Sequence, residues 1–192
     1  MNMRFRLFYS VLALLLFFVL SPANAVEVET PQFVVEIPGE DWRHLPLEQG
    51  ATPWRYARSL SETHSLFTAI TWIPLDGEDG PAPDKADVVE RIVTEARRQA
   101  EMPGRRMLDW ARGEDDGVAE GQGCWHYGAA FQVAVAEDEW IDYRSRGFIC
   151  HVPGSEGLAW LRYDELKDLE ESWKSGYEEA ATEMRRSLQP AQ

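Results

Sequence analysis

The stretch from Val118 to Val152, VAEGQGCWHYGAAFQVAVAEDEWIDYRSRGFICHV, decides the fold. Two runs rich in aromatic and β-branched residues, Val118 to Val135 and Trp140 to Val152, flank the acidic tetrapeptide Ala136-Glu137-Asp138-Glu139, a pattern that predicts an antiparallel hairpin. Folding about that turn sets Val133 beside Ile141, Phe131 beside Tyr143 and Trp125 beside Ile149, all on one face. A slip by one residue would carry this whole set to the other face, so the apolar pattern itself selects the register. The same register puts Cys124 directly opposite Cys150, on the face away from the aromatic stripe, at a separation a disulfide spans.

Working outward, Phe33 to Ile37 (FVVEI) is a strand ended by Pro38-Gly39, and Trp54 to Leu60 with Leu66 to Ile73 reads as a second hairpin. Asp84 has the chemistry of a helix N-cap. Val88, Val89, Ile92, Val93, Ala96 and Ala100 follow at helical spacing, with Arg97 and Arg98 suited to the negative end of the helix dipole. Met107 to Arg112 and Leu158 to Tyr163 add strands. A last helix is expected from about Glu165 to Leu188, with Leu166, Leu169, Trp173, Tyr177, Met184 and Leu188 on one face and Gly176 as a weak point in its interior. The expected class is α+β: an antiparallel sheet packed between helices, with a long C-terminal amphipathic helix.

The amino terminus carries an address. Arg4 and Arg6 precede the apolar run Val11 to Leu20, and Ser21-Pro22-Ala23-Asn24-Ala25 supplies a helix break and an A-x-A pattern. That layout predicts a signal peptide over residues 1–25, cleaved after Ala25, and the apolar run is too short to span a bilayer. Val26 rather than cysteine follows, so no lipid anchor is expected. Residues 26–192 then form one globular domain, located in the periplasm or secreted. Removing residues 1–25 takes away two arginines and no acid, leaving 17 basic against 33 acidic residues and a formal charge of −16. Such a charge opposes binding to nucleic acid or anionic membrane surfaces. An even cysteine count in an exported chain supports the Cys124–Cys150 disulfide.

Chemistry is sparse. Cys124, His126, Cys150 and His151 include metal-ligating types, but zinc needs four converging ligands and His151 points away from Cys150 in the hairpin register. The acidic loop Asp76 to Asp84 lacks the alternating ligands and distal glutamate of an EF-hand. Gly154-Ser155-Glu156-Gly157 is a turn and not a nucleophile elbow. Glu170-Glu171 and Glu178-Glu179 are expected on the solvent side of the last helix. No catalytic residue, metal site or cofactor is therefore assigned. Most of the eight tryptophans are core candidates. Trp54, Tyr56 and Trp72 could line a groove, and Trp140 at the hairpin tip could anchor a partner, so these four form a candidate interaction surface.

The order of elements, with the motifs Ile37-Pro38…Trp42 and Leu161-Arg162-Tyr163-Asp164, resembles the PsbP-like superfamily, including the DcrB-like bacterial envelope proteins. The resemblance implies a sheet between helices and a non-enzymatic accessory role on an envelope protein partner. It carries no catalytic residue across. The expected function is a non-catalytic accessory or interaction module, with a binding protein for a small ligand or cation as the alternative and an unrecognised enzyme third. Neither the partner nor the oligomeric state is readable from the residues.

Overall fold

The central hairpin adopts the register that its apolar face selects. In the computed structural model, which describes residues 25–46, 54–75, 82–115 and 123–191, Trp125 pairs with Ile149, Phe131 with Tyr143 and Val133 with Ile141. Cys124 pairs with Cys150, and the two form a disulfide with Cα atoms 4.2 Å apart. The expected signal segment before Ala25 and most of the acidic loop at Asp76 to Asp84 lie outside the described residues.

In chain order the elements are β1 (Val26–Glu29), β2 (Phe33–Ile37), β3 (Arg43–Leu45), β4 (Trp54–Ser59), β5 (His64–Pro74), α1 (Lys85–Ala100), β6 (Arg105–Asp115), β7 (Cys124–Ala134), β8 (Trp140–His151), β9 (Gly157–Asp168), α2 (Tyr177–Arg186) and β10 (Gln189–Pro190). Seven strands form one antiparallel sheet in the order β3-β4-β5-β9-β8-β7-β6. A small second sheet has the order β1-β2-β10.

The large sheet buries both faces. Phe148, Leu161, Tyr163, Leu66 and Ile70 on one face pack under the small sheet and α2. Ile149, Leu158 and Tyr127 on the other meet α1 through Val88, Val89, Ile92 and Val93. α1 begins where the sequence places it: the Asp84 carboxylate accepts from the Ala86 amide at 2.7 Å, capping a free donor of the first turn. Its four buried aliphatic side chains each contribute on the order of 2 kcal/mol.

The long C-terminal helix is not present. β9 runs on through Asp168, and α2 covers only the ten residues Tyr177–Arg186. Glu165, Leu166 and Lys167 pair with Leu66, Ser65 and His64 of β5 on one side and with Arg144, Tyr143 and Asp142 of β8 on the other. Tertiary ladder bonds on both edges outweigh the helical spacing of Leu166, Leu169 and Trp173. Gly176, read as a helix-interior weakness, is instead the N-cap of α2, with φ +75. That left-handed backbone suits glycine. Glu171 is likewise not on a helix: its carboxylate lies 2.9 Å from His64 Nδ1.

Candidate functional site

β9 sends alternate side chains to the two faces, which makes Leu161-Arg162-Tyr163-Asp164 a motif of two halves. Leu161 and Tyr163 enter the core under α2. Arg162 and Asp164 project toward α1, where Arg162 Nε donates to Asp164 Oδ2 at 2.8 Å. Ser145 stands beside Asp164 across the β8–β9 ladder, and its hydroxyl donates to Oδ1 at 2.6 Å. Asp164 itself is 1% exposed, so both oxygens are satisfied within the protein.

Above this group, between α1 and strands β6 to β9, lies a half-open cavity of about 260 Å³. Its apolar wall is Phe131 and Leu166 with the alanines Ala96, Ala100 and Ala129. Small side chains on α1 hold the helix backbone close at one end and leave the space unfilled. Its polar wall is Tyr127, Tyr143, Ser145 and Arg162, with Gln99 and Arg105 at the helix end. Phe131 and Tyr143 stack at 4.6 Å between ring centroids, and the Arg105 guanidinium lies 5.2 Å over Phe131.

Tyr127 is fixed on three sides. Trp110 stacks on its ring at 5.7 Å, Trp160 Nε1 donates to its hydroxyl at 3.3 Å, and the ring occupies the place where a Cβ on residue 147 would sit. Only glycine fits at 147. Burial pushes the hydroxyls of both Tyr127 and Tyr143 up, so both remain neutral hydrogen-bonding groups at physiological pH. The neighbouring Asp164 charge raises the Arg162 guanidinium still further, so it stays cationic. The arrangement presents fixed hydroxyls and guanidinium groups on an apolar floor, which is the chemistry of recognition.

A second polar group lies on the opposite face, under the segment that leads into α2. Glu165, fully buried, accepts from Arg144 at 2.6 Å, from the Lys174 amide at 2.6 Å and bonds His64 Nε2 at 2.6 Å. Arg144 lies between the rings of Trp173 and Tyr177, 4.6 and 3.9 Å from their centroids. Lys167 pairs with Asp142 at 2.7 Å. Glu165, His64 and Arg144 fasten residues 171–177 to the sheet, and the Lys167–Asp142 pair ties β9 to β8.

The structure does not gather the four expected interaction residues into one site. Trp54, Tyr56 and Trp72 share the small-sheet face and are partly buried against its core, with Phe33 6.5 Å from Trp54 and 6.0 Å from Trp72. Trp140 opens β8, and Arg106 lies 4.8 Å over its ring. Among the described residues no group of three or more His, Cys, Asp or Glu is placed to hold a metal, and no helix is long and apolar enough to cross a membrane. The α1-side cavity escaped the sequence reading. Its one visible signal was Arg162 and Asp164 on alternate positions directly after the apolar run Leu158 to Leu161.

No known protein family matches the sequence, and no curated protein is similar to it. Solved structures similar in shape include the following three. LpqN of Mycobacterium tuberculosis, involved in cell envelope biogenesis, is 14% identical, with 88% of this chain and 91% of that one covered at a TM-score of 0.49. The cyanobacterial PsbP (CyanoP) of Synechocystis sp. PCC 6803 is 15% identical over 90% of this chain and 95% of that one, at 0.46. The Ran-binding protein Mog1p of Saccharomyces cerevisiae is 14% identical over 86% and 95%, at 0.49.

Proposed function

We propose that the chain is an exported, non-catalytic binding module that takes a small molecule in the cavity between α1 and the large sheet. One observation carries this reading: the convergence of Tyr127, Tyr143, Ser145 and Arg162 on an apolar-walled space of about 260 Å³. At roughly 30 Å³ per water, that space equals about nine waters, enough for a compact organic ligand. Binding is favoured over catalysis because Asp164, the one carboxylate beneath the cavity, is already bonded by Ser145 and Arg162. A general base must lie within reach of a substrate proton, and Asp164 is 1% exposed behind the wall.

Native and denatured mass spectrometry of the mature protein, purified from a periplasm, tests the reading. Excess native mass that disappears in an Ala96→Leu variant, which fills the apolar wall, supports it. A native mass equal to the bare chain in every preparation, with no small molecule shifting cavity signals in NMR, refutes it.

The accessory, partner-docking reading draws on a separate observation. Met102 and Val135, 40% and 51% exposed, flank the Gly104 turn, where the Arg105 amide donates to Met102 and the Ala134 amide to Gly104. Exposed apolar side chains held together at a turn fit an envelope protein partner. Photo-crosslinking from position 102 or 135 in the periplasm should trap one discrete partner, and a diffuse smear would count against this docking role.

A further inference from the structure

The cavity differs in charge from the rest of the molecule. The chain has 33 acidic against 19 basic residues. The cavity wall nevertheless carries two arginines, Arg105 and Arg162, and no carboxylate. Asp164 lies behind the wall and is occupied by Ser145 and by Arg162 Nε. Among the described residues, Nε is the only part of the Arg162 guanidinium with a protein acceptor, so its terminal nitrogens keep their donors. Arg105 donates one terminal nitrogen to the Gln99 carbonyl at 2.6 Å and spreads its plane over Phe131. No ion-pair partner for Arg105 is found among the described residues.

From this we infer that the ligand is a small organic monoanion, a carboxylate or sulfonate on a flat apolar body. The body lies along Phe131 and the alanines, and the anionic group faces Arg162 and Arg105. The inference rests on the reading of the cavity as a binding site. A planar guanidinium is suited to bidentate carboxylate recognition, and its planarity limits the rotamer entropy lost per bond. The Tyr127 and Tyr143 hydroxyls, held neutral by burial, line the space without adding a repelling charge.

A cationic ligand is the natural rival, because aromatic rings line the space and cations favour ring faces. Three facts decide against it. Arg105 already covers the Phe131 face. Arg162 would stand as a like charge on the wall. Asp164, 1% exposed behind the wall and already paired with Arg162, is out of reach of a new cation. The protein's overall negative charge repels an approaching anion, but that repulsion is screened beyond about 8 Å at physiological salt, whereas contact with the two arginines is not.

Phenylacetate, phenylacetamide and phenethylamine have nearly the same shape and differ in charge, so an amide-resolved NMR titration of the mature protein with each separates the possibilities. The expected result is that phenylacetate shifts signals of Ala96, Gln99, Ala129 and Ser145 and binds at least tenfold more tightly than either analogue. Arg105→Gln, on a partly exposed side chain, should reduce the preference for the acid over the amide several-fold, with Arg162 supplying the remainder. Equal binding of acid and amide would overturn the anion inference and leave the cavity reading intact. If phenethylamine bound most tightly, the anion inference would be overturned in favour of a cation site. Failure of all three to shift cavity signals would overturn the inference together with the cavity reading.

Discussion

Arg162 and Asp164, two residues apart on β9, bond each other on the face that α1 covers, while Leu161 and Tyr163 between and beside them fill the core on the other face. The pair therefore sits on a central strand yet borders a cavity. Removing the charge from Asp164 leaves Arg162 without its ion-pair partner. Asp164→Asn should destabilise the fold by about 3 kcal/mol, the lower end for a broken buried pair because the Arg162 side chain keeps 30% exposure. Urea unfolding measures it, and a loss below about 1 kcal/mol would show that solvent replaces the carboxylate.

Gly147→Ala tests the fixing of Tyr127. A Cβ at 147 would lie 2.2 Å from the Tyr127 ring, which is held on its other sides by Trp110 and Trp160. The substitution should cost about 1–3 kcal/mol through overpacking. It should also move the Tyr127 hydroxyl, seen as a changed near-ultraviolet circular dichroism signal. An unchanged spectrum with unchanged stability would mean that the ring yields freely.

The crosslink joins strands that are already paired. Cys124 and Cys150 are 26 residues apart in sequence, so replacing both by alanine should cost about 3 kcal/mol through the larger entropy of the unfolded chain. The register should survive, because the apolar face of the hairpin sets it independently. Hydrogen exchange should accordingly show the β7–β8 amides still protected, and loss of that protection would refute the independence.

Acid should weaken the clasp over Glu171. Hydrogen bonds from Thr63 and Ser61, with the nearby His64 as a lesser cause, hold the Glu171 carboxyl below its ordinary value of 4.5. A carboxylate whose folded value is depressed binds fewer protons in the native state than in the unfolded one, so stability rises with pH through this range. Its contribution is present above about 4.5 and lost as pH falls through the lowered value. Glu171→Gln should flatten the stability profile below pH 4.5, as read by thermal unfolding at a series of pH values. A variant curve parallel to the wild type would remove Glu171 from the acid response.

How far the residues announced this structure follows from which forces are local. The β7–β8 register was legible because one alternating apolar face admits only one pairing, and Cys124 against Cys150 came with it. α1 was legible from Asp84 and the Val88 to Ala100 stripe. Residues 165–168 were misread because Glu165 and Lys167 look like the polar side of a helix. They are buried, at 0% and 2% exposure, through partners on β5 and β8 far away in sequence. The cavity was hidden for a related reason. It exists where Ala96 and Ala100 of α1 face Phe131 and Arg162 across the sheet, and no spacing within one segment records such a meeting.

The small sheet sets an order of events. Its middle strand β2 takes β1 on one edge and β10 on the other, with Gln189 beside Val34 and Pro190 beside Phe33. A chain that emerges amino end first, from a ribosome or a translocation channel, thus delivers β2 more than 150 residues before its second neighbour. The lid of one core layer can close only after nearly the whole sequence is free. Until then Phe33, Val35 and Ile37 have an incomplete cover, a waiting period in which a holding chaperone would have its longest opportunity to act.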